Sequence, residues 1–212
     1  MRVTAGQAAS RVSWRGRGAC WGSRSGQNAR LATKPLGMGA VSTAMKKDKM
    51  EQGAADEAMT ARAMEVMATL NKVAAEVAQD FDVHAATDIT GFGFVGHACE
   101  MAEGAGLQLE VDAQSLPLMQ GALELVRAGA LSGGCARGKQ HFGPRVEVDD
   151  IVEAALGDLV FDAETSGGLL LAVSEAQAQS LSDRLRDAGA PAYAIAGRFV
   201  ARAGAEPLVR LR

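Results

Sequence analysis

The sequence predicts an α+β domain, a mixed sheet with helices packed on it. Three observations carry that expectation. Some stretches repeat apolar residues at helical spacing, as in Phe94, Val95, Ala98, Met101 and Ala102. Others alternate apolar and polar side chains, as in Leu107, Leu109 and Val111 against Gln108, Glu110 and Asp112. The two kinds do not alternate strictly along the chain, which disfavours a purely parallel sheet. With 212 residues, 48% of them hydrophobic, the chain can bury a sizeable core.

Taken in order, residues 31–34 start as a short apolar run, and Pro35-Leu36-Gly37-Met38-Gly39 reads as a turn. A helix is expected from Ala40 to Met45. The segment Asp56 to Asp80 reads as helical, with Met64, Met67, Leu70, Val73, Ala74 and Val77 on one stripe. Methionines on such a stripe are core filler before they are ligands. Val83 to Ala86 is apolar enough for a buried strand, and Gly104 and Gly106 stop the helix that follows. Pro117 at a first helical position opens a helix through Leu118, Leu123, Leu125 and Val126, ending near Gly129. Ser132 to Pro144, rich in glycine and basic residues, reads as a mobile surface loop, with His141 exposed. Asp149 and Asp150 are expected to cap a short helix through Leu156. A strand follows at Leu169 to Val173, then an amphipathic helix from Ala176 to Ala188. Strands at Tyr193–Val200 and Pro207–Leu211 close the chain.

The stretch Thr87-Asp88-Ile89-Thr90-Gly91-Phe92-Gly93 organises the rest. Strand, glycine turn, helix is a geometry that aims backbone N–H groups at an anion. Asp88 would repel that anion unless a Mg²⁺ bridged carboxylate and phosphate. The plain alternative is a tight turn with Asp88 as helix N-cap. Thr165-Ser166-Gly167-Gly168, between Phe161 and Leu169, offers hydroxyls and glycines that either hold phosphate oxygens or make a hairpin-like turn. Lys34 is a weaker phosphate candidate, since a lysine at a loop edge is usually solvated.

Composition excludes several classes. No apolar run approaches the length of a membrane span. Cys20, Cys99 and Cys135 have spacings of neither a disulfide framework nor a zinc motif, which points to a reducing, cytoplasmic setting. A net charge of −3 argues against a nucleic-acid surface. The charge is uneven, however: no Asp or Glu precedes Asp48, whereas Arg2, Arg11, Arg15, Arg17, Arg24 and Arg30 do. Residues 1–30 read as a transit peptide, a disordered basic arm or a translation artefact, the last being favoured. Cys20, within that leader, is treated as incidental.

The wording Thr87-Asp88-Ile89-Thr90-Gly91-Phe92-Gly93-Phe94-Val95-Gly96-His97, continued to Met101, resembles the selenophosphate synthetase (selenide, water dikinase) family. That family sits among the aminoimidazole-ribonucleotide-synthetase-like ATP enzymes. Thr33-Lys34-Pro35-Leu36-Gly37-Met38-Gly39, Gly129 to Gly134, and Asp162-Ala163-Glu164-Thr165-Ser166-Gly167-Gly168-Leu169-Leu170 resemble further family motifs in the same order. The resemblance covers about residues 31–212 and implies that family's C-terminal domain. Ala163 stands where the family has proline, Glu164 where it has glutamine, and Cys135 and Gly138 where it has threonine and asparagine.

The resemblance implies transfer of phosphate from ATP to selenide, giving selenophosphate, AMP and orthophosphate for selenocysteine synthesis. It implies Mg²⁺ and ATP as cofactors, Asp88 as a metal ligand, and nucleotide contacts from Thr87, Thr90, Gly91, Gly93, Thr165, Ser166 and Gly167. His97 is read as a packed histidine. It also implies a homodimer at full length, with neither nucleic acid nor membrane as partner. The family's other metal aspartates, its lysine and its cysteine or selenocysteine belong to an N-terminal domain that no stretch here matches. An N-terminally truncated enzyme without catalysis of its own is therefore expected. The alternatives are a non-catalytic ATP-binding or regulatory fragment and a related ATP enzyme, such as aminoimidazole ribonucleotide synthetase or thiamine-phosphate kinase.

Overall fold

The computed structural model describes residues 28–46 and 57–212. Residues 1–27 of the leader, Cys20 among them, and the Asp56 start of the long helix lie outside the described residues, whereas Asn28 to Arg30, expected as the end of that leader, are buried in β1 between β5 and β6. In chain order the elements are β1 (Asn28–Ala32), α1 (Met38–Lys46), α2 (Glu57–Ala68), α3 (Lys72–Ala78), β2 (Val83–Asp88), α4 (Gly93–Ala105), β3 (Leu107–Val111) and α5 (Ala122–Arg127). They continue with α6 (Gly133–Phe142), β4 (Val146–Val148), α7 (Ala154–Leu159), β5 (Leu169–Ser174), α8 (Glu175–Asp187), β6 (Ala194–Ala201) and β7 (Val209–Leu211).

One seven-stranded sheet has the order β2-β5-β1-β6-β3-β7-β4. Pairing is antiparallel from β2 to β3 and parallel for β3–β7 and β7–β4, so the sheet is mixed, as expected. β1 is central and buried throughout, with Leu31 opposite Leu171 on one side and Ile195 on the other. The two-residue period of β5 divides the core. Leu171 and Val173 pack with Ala74, Val77, Leu181 and Leu185 under α3 and α8. Leu170 and Ala172 face the larger cluster, built from α1, α4, α5, α6 and α7, with Phe94, Leu125 and Phe161. Among the described residues no helix is long and apolar enough to cross a membrane. Cys99 and Cys135 are buried thiols, and burial pushes them up to about 12 and about 11.

The structure corrects five local expectations. The single helix over 56–80 is two, and its stripe does not face the core as a unit: Met64 and Leu70 are 58% and 75% exposed, while Ala63 and Val66 are buried. The break is set locally and from afar. The Thr69 hydroxyl donates to the Glu65 carbonyl at 2.8 Å, the Lys34 ammonium to the Thr69 carbonyl at 2.6 Å, and the Asn71 amide to the Gly167 carbonyl at 2.9 Å. Pro117 opens no helix. Its carbonyl accepts from Leu36 N at 2.8 Å, Met119 N donates to the Leu36 carbonyl, and α5 starts only at Ala122. The expected loop at 132–144 is mostly α6, with the Ser132 hydroxyl accepting from Gly134 N at 3.0 Å as N-cap. Glycine is needed there because a Cβ on Gly138 would lie 2.9 Å from the Phe161 carbonyl oxygen. Asp149 and Asp150 cap nothing: α7 follows Glu153, and Asp149 pairs with Arg210 at 3.2 Å. Finally, Thr165–Gly168 joins α7 to β5, so it is not a hairpin between strands.

Candidate functional site

The segment 162–168 is a hub onto which four other parts of the chain converge. Asp162, with no exposed surface, accepts at Oδ1 from Ser132 N at 3.1 Å, from the Ser132 hydroxyl and from Ala163 N at 3.0 Å. Its Oδ2 has no partner and lies against Gly39, where an added Cβ would come within 2.5 Å. Burial raises the Asp162 pKa above the usual carboxylate value, and the bonds from Ser132 and Ala163 oppose that. Glu164 is 5% exposed and sits on the start of α1: Oε1 accepts from Gly37 N at 2.7 Å and Oε2 from Met38 N at 3.1 Å. A carboxylate there meets both the unpaired amides and the positive end of the helix. Desolvation nonetheless pushes its pKa from 4.5 up to about 8.

The same hub meets the glycine turn after β2. Glu164 N donates to the Thr90 carbonyl at 3.0 Å, and Ile89 N to the Gly168 carbonyl at 2.9 Å. Thr87, Asp88, Thr90, Gly91 and Gly93 are thereby brought beside Thr165, Ser166 and Gly167. Asp88 ends β2 opposite Leu169 with an exposed side chain, and Gly91, Phe92, Thr165 and Ser166 are exposed as well. Asp88 is not the N-cap of α4; Phe92 holds that position, without a side-chain cap.

The α4 terminus is less open to an anion than its motif implies. Gly93 N donates to the Thr90 carbonyl at 3.0 Å and Val95 N to the Val160 carbonyl at 3.1 Å. His97 is packed, with Nε2 3.0 Å from the Thr90 hydroxyl and Nδ1 3.2 Å from Glu100. Ser166, at φ 54°, occupies the left-handed region, and its hydroxyl donates to the Met67 carbonyl at 2.8 Å.

Lys34 departs most from expectation. It is 2% exposed, and its ammonium donates to the carbonyls of Thr69 and Ser166 at 2.6 and 2.8 Å. It ties the rim to the α2–α3 junction instead of reaching for phosphate, and burial lowers its pKa. Lys34→Met keeps the length but leaves both carbonyls without this donor. The expected loss is about 2 kcal/mol in urea unfolding, and an unchanged midpoint would show that the two bonds contribute nothing net. Sequence reasoning missed Asp162 and Glu164 as site architecture; the one visible signal was Glu164 standing where glutamine was expected.

Comparison with known proteins decides the family. The profile described as AIR synthase related protein, C-terminal domain, matches residues 29–209. The chain belongs to the AIR synthase related family. Within it, the chain is 40% identical over 181 residues to selenide, water dikinase 2 of Peptoclostridium acidaminophilum, which covers 85% of this chain and 50% of that protein. It is 44% identical over 169 residues to the selenide, water dikinase of Geobacter metallireducens, covering 79% of this chain and 47% of that one. The chain thus spans about half the length of the curated relatives it matches. Among solved structures, E. coli HypE superposes with a TM-score of 0.62 at 20% identity, over 90% of this chain and 48% of that one. That likeness shows the fold, the C-terminal domain of an AIR synthase related protein. The resemblance read from the four motifs is borne out.

Proposed function

We propose that this chain supplies the C-terminal half of the ATP site of a selenophosphate synthetase, which converts ATP, selenide and water to selenophosphate, AMP and phosphate. One observation carries the reading: the Thr87–Gly93 turn is bonded to Glu164 and Gly168, the two residues that flank Thr165–Gly167, with Asp88 exposed at the rim. The relatives named selenide, water dikinase support the choice of reaction.

The donor set suits Mg²⁺ only in company with phosphate. Among the described residues no group of three or more His, Cys, Asp or Glu side chains could hold a metal ion. Mg²⁺, however, keeps several waters and takes one or two carboxylates besides substrate phosphates. Asp88 would be one such ligand, and the ion, when bound, would offset phosphate charge. Gly91, whose Cβ position meets nothing within 4 Å, leaves room for a phosphate beside the turn. The exposed Thr165 would face the same oxygens, and Ser166, whose hydroxyl is held by the Met67 carbonyl, would with Thr87, Thr90, Gly93 and Gly167 hold the backbone around them. Turnover is assigned to the chain only when it is joined by a domain carrying the remaining metal aspartates and the nucleophile. That assembly would act in the cytoplasm as a homodimer.

The test is phosphorus NMR of ATP titrated with the purified chain in Mg²⁺. Broadening of the β- and γ-phosphate signals is expected, and Asp88→Asn should weaken binding roughly tenfold or more, as the loss of a charged contact does. Equal affinity of the two proteins would remove Asp88 from the site. Selenophosphate formed by the chain alone would overturn the assignment of turnover.

A further inference from the structure

We propose that Glu164 is a positioning residue, a strut that fixes the Thr165–Ser166–Gly167 rim against the Thr90–Gly91 turn by docking its carboxylate on the first amides of α1. The strut rests on the nucleotide reading for its purpose but not for its geometry. Its side chain takes both N–H groups of Gly37 and Met38, while its own N–H holds the Thr90 carbonyl. One residue thus connects three segments that are remote in sequence, and the exposed hydroxyl residues Thr165 and Ser166 follow it directly. Two acceptor oxygens for two donors is a match only a carboxylate makes. A glutamine amide has one acceptor oxygen, and its NH₂ would face the second N–H.

The strut is responsive to protonation. A proton on one oxygen takes that oxygen away from Gly37 or Met38 N–H, and burial brings this event up to about pH 8. The groups around Glu164 are few. Asp162, two residues earlier, disfavours its charge; the first turn of α1 carries no acidic side chain; Lys34 is turned to Thr69 and Ser166. Ionised Glu164 holds the rim at both amides and protonated Glu164 at one, so the rim tightens as pH rises.

Two readouts on the full 212-residue chain test this. The first is nitrogen–proton NMR of the Gly37, Met38, Thr90, Thr165 and Ser166 amides from pH 6 to 9, in wild type and Glu164→Gln. One shared titration near pH 8 in wild type, absent in the variant, is expected. Titration of Gly37 and Met38 without movement of Thr165 and Ser166 would overturn the strut. The second is Mg-ATP affinity at each pH, where comparing the proteins cancels the nucleotide's own titration. Wild type should exceed Glu164→Gln by about tenfold at pH 9, the effect of one charged hydrogen bond, and by little at pH 6. Equal affinities at pH 9 would also overturn it. If wild type binds no Mg-ATP, the nucleotide reading falls, and the amide titration still decides the strut. If Glu164→Gln does not fold, the wild-type titration decides it alone.

Discussion

Gly93→Ala is expected to destabilise the chain by about 3 kcal/mol and to lower the melting temperature by about 6–12 °C. Two costs add at this position. Its φ is +68°, in the left-handed region where an L side chain costs about 1–2 kcal/mol. A Cβ there would also lie 2.7 Å from the Asp162 carbonyl oxygen and 2.9 Å from both the Phe161 carbonyl carbon and the Val160 carbonyl oxygen. Those atoms are backbone at the end of α7, so no side-chain rotation relieves the overlap. The methyl group pushes the hub away from α4 at the point where the rim is assembled. Gly91→Ala is the control in stability, since its Cβ meets nothing within 4 Å and its φ is not positive. Its midpoint should stay within about 0.5 kcal/mol of wild type. Equal effects in the two variants would show that contact with residues 160–162 does not position this turn.

That contrast marks what the sequence could and could not show. Gly91 and Gly93 are both glycines of one motif, and it is the backbone of residues 160–162 lying against Gly93, together with its positive φ, that separates their roles. Where burial follows a single element's own period, the reading was sound. The α4 stripe Phe94, Val95, Ala98, Met101 and Ala102 is buried, and β3 buries Leu109 and Val111. The stripe from Met64 to Val77 has the same helical spacing, yet it is cut at Thr69–Asn71 by bonds from Lys34 and to Gly167. Periodicity cannot see a donor 35 residues upstream. The α6 segment failed for a related reason: its glycines looked like loop composition, whereas Gly134 and Gly138 allow a helix to pack close on Ala163 and Phe161. The motifs brought the two halves of the candidate rim into view. The carboxylates that brace it were invisible as such, because Glu164 finds its donors 127 and 126 residues away.

The largest pH effect on stability is expected from the same Glu164. Its pKa rises from 4.5 in the unfolded chain to about 8 in the fold, because burial disfavours the charge more than the amides of Gly37 and Met38 favour it. Between those values the native state holds a proton that the unfolded chain has released. Stability from this group is therefore fully present below pH 4.5 and is lost as pH rises through about 8. The amount is on the order of 5 kcal/mol, which corresponds to a melting-temperature change of about 10–20 °C for a chain of this size. Asp162, whose pKa is also raised by burial, acts with the same sign. Glu153, whose carboxylate is held below its ordinary value by its hydrogen bonds with Arg127, acts with the opposite sign and at lower pH. Thermal melts of wild type should accordingly fall from pH 5 to 9. Glu164→Gln should flatten that fall and become the more stable protein at pH 9, because it carries no charge to desolvate. Parallel curves for the two proteins would mean that Glu164 is ionised in the fold across this range. The interior of the hub would then hold a carboxylate at little cost, and the two amides of α1, not burial, would control its proton.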